Sequence, residues 1–355
     1  MKKVAFLVPK LAAGGAERIT LYLADALAKA GYEVTIVSMH SGGDLVKQVP
    51  PGVSLVSLNC NRPAAAILPM LRFVIQHKPH VVVSALDSAN ILNALVKRIW
   101  PRFRAVLAIH STPSRVYNQS EPAVNTRAER MRTALLRADQ IVSVSEASRE
   151  DAAHFFRIPL ERFRLIYNPC IPGNVDELVN DRPDSVPKEP YAVFVGRLIP
   201  DKQVDGLLRI WTTMRDKPLV IVGDGPEREQ LMQLVLELQL DSCVHFAGFQ
   251  TNPFPWLQRA RLAILCSRRE GLPTVLAEAL YLGTPIVAFD CPSGPREMLR
   301  GGQYGALVPP DDWEALRSAV ERTWSIPPPA VPAEAWAPYR TEQAVAEYIK
   351  VIEDK

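Results

Sequence analysis

YAVFVGRLIPDK, residues 191–202, is an apolar run that ends on Gly196 and meets Arg197 and Lys202 directly afterwards. Such a run reads as a buried strand. Cations just beyond it fall at the carboxyl edge of a parallel sheet, where open α/β folds bind ligands. The pattern repeats downstream in PLVIVG (218–223), CVHFAG (243–248), RLAILCS (261–267) and TPIVAFD (284–290), each followed by a helix or loop. Upstream, residues 164–190 fill with Pro, Asn and Asp and read as a linker. Before that stretch the alternation occurs once already, in VAFLVP (4–9), EVTIVSM (33–39), VSLVSL (53–58), HVVVSAL (80–86), RAVLAIH (104–110) and QIVSVS (140–145). Strands separated by helix-length segments mean βαβ units. The fold class is therefore α/β, with two doubly wound units in series.

Length and composition agree. A chain of 355 residues, 48% apolar and 22% charged, has the size of two domains with real cores. Its five cysteines are scattered with no Cys-x-x-Cys pair, which argues against zinc and a disulfide framework and for a reducing compartment. The apolar start is interrupted by Pro9 and Lys10, so it reads as a first strand, and no stretch approaches the roughly 18 apolar residues of a membrane span. The expectation is a cytoplasmic protein, at most peripheral at the inner face of the plasma membrane. Residues 1–171 carry 22 Lys and Arg against 12 Asp and Glu, and the remainder 19 against 26, so a half at +10 precedes a half at −7. Such a split points to different partners for the two halves.

Two segments carry the chemistry. Arg197 and Lys202 suit a diphosphate, although two cations alone also fit a solvated loop. In SRREGLPTVLAEALYLGTPIV (267–287), Glu270 sits in a loop, Gly271 permits close backbone approach, and Pro273 fits the first turn of a helix to about Leu282. That helix start offers N–H groups to an anion. Glu278 lies inside the otherwise apolar helix, where a carboxylate must be paired or bound to hydroxyls; a buried ion pair or cap is the competing reading.

Taken together, GRLIPDK, VGDGPEREQL, VHFAGF, SRREGLPTVLAEAL and GTPIVAFDCPSGPREML, in that order, resemble the family-four retaining glycosyltransferases of the GT-B fold. The first half matches more loosely, through Gly14-Gly15, His110 and VSVSEASRED. The resemblance implies two Rossmann-like domains facing across a cleft: an acceptor domain over 1–171, a donor domain over 172–337, and a helix within 338–355 packing back on the first. It implies that Arg197 and Lys202 neutralise the donor diphosphate, with Gly196 at the strand end, and that Glu278 bonds the ribose. Glu270 would bond the transferred sugar, assisted by backbone N–H groups at Gly271, Leu272 and Thr274. Gly14 and Gly15 would approach the phosphates or acceptor, backbone near Gly248 and Phe249 would read the base, and His110 would bond a sugar hydroxyl rather than act as a base. A satisfied core histidine is the plain alternative for His110.

No Asp-x-Asp pair occurs, so neither metal nor cofactor is expected, and protein cations and helix dipoles serve the leaving group. The segment DCPSGPREML (290–299) looks most like bacterial transferases of N-acetylgalactosamine or related sugars acting on polyprenyl-diphosphate-linked glycans. It favours a UDP-sugar donor, a lipid-linked acceptor, and a polysaccharide, lipopolysaccharide or glycoprotein-glycan pathway, with no nucleic acid partner. A nucleotide-sugar epimerase of GT-B fold and a non-catalytic nucleotide-sugar-binding subunit stand as rivals. Finally, KRIWPRFR (97–104) and RAERMRTALLR (127–137) pack cations around Trp100 and Phe103. Either a solvated face or a surface for an anionic membrane has that composition.

Overall fold

The computed structural model describes residues 1–12, 14–60, 62–117, 122–181, 183–327 and 330–354. The chain forms two compact units, Met1–Pro169 with Thr341–Lys355, and Cys170–Arg340. The first unit contains β1 (Lys3–Val8), α1 (Gly15–Lys29), β2 (Glu33–Ser38), β3 (Val53–Ser57), α2 (Ile67–His77), β4 (Val81–Ala85) and α3 (Asp87–Ile99). It continues with β5 (Arg104–Ile109), α4 (Pro113–Val116), α5 (Pro122–Arg137), β6 (Gln140–Ser143), α6 (Glu146–Phe156) and β7 (Phe163–Leu165). All seven strands run parallel in the order β3-β2-β1-β4-β5-β6-β7.

The second unit contains α7 (Val175–Asn180), β8 (Ala192–Val195), α8 (Val204–Trp211), β9 (Leu219–Val222), α9 (Arg228–Glu237), β10 (Val244–Gly248) and α10 (Phe254–Arg259). Then come β11 (Leu262–Leu265), α11 (Thr274–Leu282), β12 (Ile286–Phe289), α12 (Pro295–Met298), β13 (Ala306–Val308) and α13 (Trp313–Ser325). Its sheet is parallel in the order β10-β9-β8-β11-β12-β13. The last helix, α14 (Thr341–Glu353), belongs to the first unit and packs against α1.

These elements form for ordinary reasons. Strands β9 and β12 are buried at every position, as a parallel sheet covered on both faces requires. In α8 the buried Val204, Leu207, Leu208 and Trp211 recur at helical spacing and turn one stripe to the core. Ser145 caps α6 by accepting the Ser148 N–H at 3.2 Å, and Gly283 ends α11 in the left-handed region at φ 69°. Polar side chains fix α3 to the sheet: Asn90 Nδ2 donates to the Ala108 carbonyl (2.9 Å), and Asn93 Nδ2 to the Val82 carbonyl and the Ser84 hydroxyl (both 3.0 Å).

Two strands escape the periodicity of the sequence. β7 lies at the start of the Pro- and Asn-rich stretch, α7 falls inside it, and β13 follows a Gly-rich turn. Both strands are three residues long at a sheet edge, too short and too exposed to leave an apolar run. In α14, Val345 and Tyr348 are buried and Ile349 only half so, while Val351 and Ile352 complete the inward face.

Glycines set the carboxyl edge of the second sheet. Gly223 adopts φ +151°, and a Cβ there would run into the Gly196 carbonyl. A Cβ on Gly225 would fall 2.7 Å from the Leu198 nitrogen and closer still to its carbonyl. The loop after β9 thus lies against the backbone after β8, where the Leu198 N–H donates to the Asp224 carbonyl at 2.9 Å. Gly223→Ala should therefore lower unfolding stability by about 3 kcal/mol, since neither contact atom is a flexible side chain. Urea unfolding measures it, and an unchanged midpoint would refute the close approach.

Candidate active site

β8 and β11 are hydrogen-bonded neighbours, yet the chain leaves β8 towards β9 and leaves β11 towards β12, in opposite directions across the sheet. At such a reversal the two following loops part and open a crevice at the strand carboxyl ends. Gly196, Arg197 and Lys202 follow β8; Glu270, Gly271, Leu272 and Thr274 follow β11.

Charge ties the two loops together. The Asp201 carboxylate accepts from Arg269 Nε and Nη2 at 2.8 and 2.7 Å, and its carbonyl accepts the Arg268 N–H at 2.8 Å. Lys202 Nζ pairs with Glu270 Oε1, with side chains only 20% and 12% exposed. At that burial a pair is screened less than on the open surface. Lys202 and Glu270 therefore meet each other, where the sequence reading gave them separate duties. An ammonium carries three donors, so Lys202 can hold Glu270 and a ligand oxygen at once. Arg197 stays exposed, set on the buried Leu198.

Pro273 caps α11 from just outside, one residue earlier than a first-turn position, and Thr274 begins the helix. Glu278, 1% exposed, lies one turn further along the same face. The loop is propped from behind by the turn after β12. There Ser293, at φ 71°, donates from Oγ to the Gly271 carbonyl at 2.6 Å, and a Cβ on Gly294 would strike the Pro273 ring. β10 ends at Gly248, whose carbonyl accepts the Gly223 N–H at 2.8 Å, so Gly248 and the half-exposed Phe249 belong to the same sheet edge.

Three cysteines surround this edge without offering a nucleophile. Burial pushes the Cys266 thiol up to about 12, with Lys202 opposing the shift. The Cys291 and Cys170 thiols are raised by burial first and then by the charges of Glu270 and Glu278 respectively. All three stay protonated at neutral pH and are inert.

In the first unit Gly14 caps α1 and Gly15 begins it, beyond the carboxyl end of β1. His110 follows β5 at that same edge, with β4 between the two strands. Its Nδ1 is buried with no hydrogen-bond partner among the described residues, and burial pushes its pKa down to about 4. The ring is thus neutral at pH 7, and its Nδ1 is left to give or accept a hydrogen bond without carrying charge.

The basic segments are less available than their composition implies. Lys97 pairs with Asp139 at 2.7 Å, Arg127 with Asp87 at 2.8 Å, and Arg104 donates to the Asp354 carbonyl at 3.1 Å. Phe103 is core, and Arg102 stacks on Trp100 at 4.4 Å. Arg98, Arg130 and Arg137 are exposed and make no ion pair among the described residues. Asp201, Arg269 and Ser293 stand inside the motifs read from the sequence, but that reading gave them no role. Their partners lie 68 or 22 residues away, and only the unusual Ser-Gly-Pro turn hinted at a buttress.

Residues 13–171 match the family described as Glycosyltransferase Family 4, and residues 189–325 that described as Glycosyl transferases group 1. The chain is 26% identical over 90% of its length to a Campylobacter jejuni N-acetylgalactosamine-N,N'-diacetylbacillosaminyl-diphospho-undecaprenol 4-alpha-N-acetylgalactosaminyltransferase, covering 91% of it. It is 28% identical to an alpha-1,4-N-acetyl-D-galactosaminyltransferase of the same organism, named for GalNAc-alpha-(1->4)-GalNAc-alpha-(1->3)-diNAcBac-PP-undecaprenol, over 90% of this chain and 88% of that one. Among solved structures, Anabaena HepE in complex with UDP and glucose superposes with a TM-score of 0.81 at 20% identity, covering the whole of both chains. With two parallel-sheet units that each match, the chain belongs to the family 4 glycosyltransferases and has the GT-B fold.

Proposed function

We propose that this glycosyltransferase moves a hexose or N-acetylhexosamine from a UDP-sugar to a lipid-linked glycan with retention at the anomeric carbon and without a metal. The arrangement at the β8–β11 reversal carries the reading. It gathers Arg197, the Lys202–Glu270 pair, the start of α11 and the buried Glu278 at one sheet edge. Arg197, Lys202 and the positive end of the α11 dipole supply positive charge where a departing diphosphate would accumulate negative charge. Glu270 is then the acceptor for sugar hydroxyls and Glu278 for the ribose. The lipid-linked acceptor is the class named for both Campylobacter relatives, and UDP is the nucleotide in the HepE complex.

The route we infer has no covalent enzyme intermediate. The bond from the anomeric carbon to the phosphate oxygen breaks as the acceptor oxygen bonds the same face. The acceptor proton passes to the departing phosphate oxygen. A neutral His110 bonds a hydroxyl and needs no protonation change.

Arg197→Ala and Lys202→Ala should each reduce turnover at least about a hundredfold, the effect of losing roughly 3 kcal/mol of leaving-group stabilisation. Turnover should survive a chelator and vanish without an acceptor; wild-type rates in both variants would overturn the assignment. Glu278→Gln should weaken free UDP, whereas Glu270→Gln should leave UDP affinity largely intact and damage use of the intact donor. Equal loss of UDP affinity in both would erase that division. His110 supplies a pH test. Its folded pKa lies below the unfolded value of about 6.5, so the unfolded chain binds the extra proton and stability falls as pH drops from about 6.5 towards 4. The loss should be on the order of 2–3 kcal/mol and shrink in His110→Gln, as read from unfolding curves at several pH values.

A further inference from the structure

Along the first unit, helices α2, α3 and α5 enclose a groove of about 800 Å3 that the donor chemistry does not use. Its floor is apolar, with Ile67 at the start of α2 and Ile91, Leu92 and Leu95 from α3. One stripe of α5 forms the other wall, with Thr126, Arg130, Thr133 and Arg137 at helical spacing. The carboxylate in that wall, Glu129, is taken up by Arg132 at 3.4 Å. Arg130 and Arg137 are exposed without an ion pair among the described residues. The same three helices carry large apolar side chains in water: Leu68 (55% exposed) and Ile75 on α2, Ile99 on α3, Leu136 on α5. Ile75, Ile99 and Leu136 each sit in the last turn of their helix, the end away from the strand carboxyl edge.

Resting on the reading that the acceptor is lipid-linked, we propose that this groove holds the hydrocarbon chain of a polyprenyl diphosphate. The chain lies between α3 and α5, the diphosphate meets Arg130, and the free end leaves past Leu136 and Arg137. An apolar trough beside unneutralised arginines matches a ligand with an oily tail and an anionic head. The twelve residues of α5 from Thr126 to Arg137 give a trough about 16 Å long, enough for the first few isoprene units. The exposed apolar side chains at its outer end are where such a chain would emerge into a bilayer.

Farnesyl diphosphate is a soluble probe, and calorimetry without any nucleotide sugar reads its binding apart from transfer. It should bind at least about thirtyfold tighter than inorganic pyrophosphate, because only the probe buries a chain. Thr133→Trp fills the groove, and the hydroxyl it removes bonds only the Glu129 carbonyl of its own helix, at 2.9 Å. That variant and Arg130→Gln should each weaken the probe about tenfold or more while leaving UDP affinity unchanged. Equal affinity for probe and pyrophosphate, or full affinity in Thr133→Trp, would overturn the assignment. So would concentration-dependent dimerisation that Thr133→Trp abolishes, which would make the groove a contact for a second copy. Transfer to lipid-linked acceptors with no groove binding sinks the groove alone; groove binding with transfer only to lipid-free acceptors sinks the acceptor reading alone.

Discussion

Lys202 and Glu270 belong to loops that follow two adjacent strands with opposite onward connections, and their pairing is what the carboxyl edge of the second sheet hangs on. Each charge keeps the other in place at an edge where water is partly excluded. Asp201 and Arg269 repeat the tie beside them. The loops need both, because a crevice at a sheet reversal is by construction a place where backbone contacts stop. Removing one partner leaves a half-buried charge uncompensated, so each group holds the other's loop in place.

Beneath that pair the support is backbone and small side chains. Gly223 and Gly225 let one loop lie against another, and Ser293 with Gly294 braces the turn into α11. The positive φ of Ser293 costs energy that an unconstrained turn would not bear. Its partner is the Gly271 carbonyl, so the bond also fixes the Leu272 N–H of the same planar peptide group.

Much of this was legible before any coordinates. Eleven strands are legible, most of them as apolar runs because a parallel sheet buries both faces of its inner strands, and the motif residues fall at their carboxyl ends because βαβ connections put them there. β7 and β13 were silent, being three-residue edges. Ion pairs across 68 residues have no local signature: Lys202 and Glu270 were visible as charges, but not as each other's partner. The basic segments misled for a related reason. Composition counts Lys97, Arg104 and Arg127 as free, while Asp139, the Asp354 carbonyl and Asp87 engage them. Arg98, Arg130 and Arg137 are left, and only the helix packing reveals the trough that Arg130 and Arg137 border.

The return of α14 to the first unit bears on how the protein is made. The second unit is one uninterrupted segment and can close its sheet as soon as it leaves the ribosome. The first can pair its seven strands but not finish its helical cover: the helix that covers α1 and supplies Glu347 to Arg164 and Glu353 to Tyr32 is translated after the whole of Cys170–Arg340. Closing a loop of that length has a modest entropic cost, since each doubling adds only about 0.6 kcal/mol, but it imposes an order of events. During synthesis the side of α1 that α14 will cover stays bare for the time needed to build a domain. Nascent first units are thus the species with apolar surface to hide, and a chaperone bound co-translationally would find its target there.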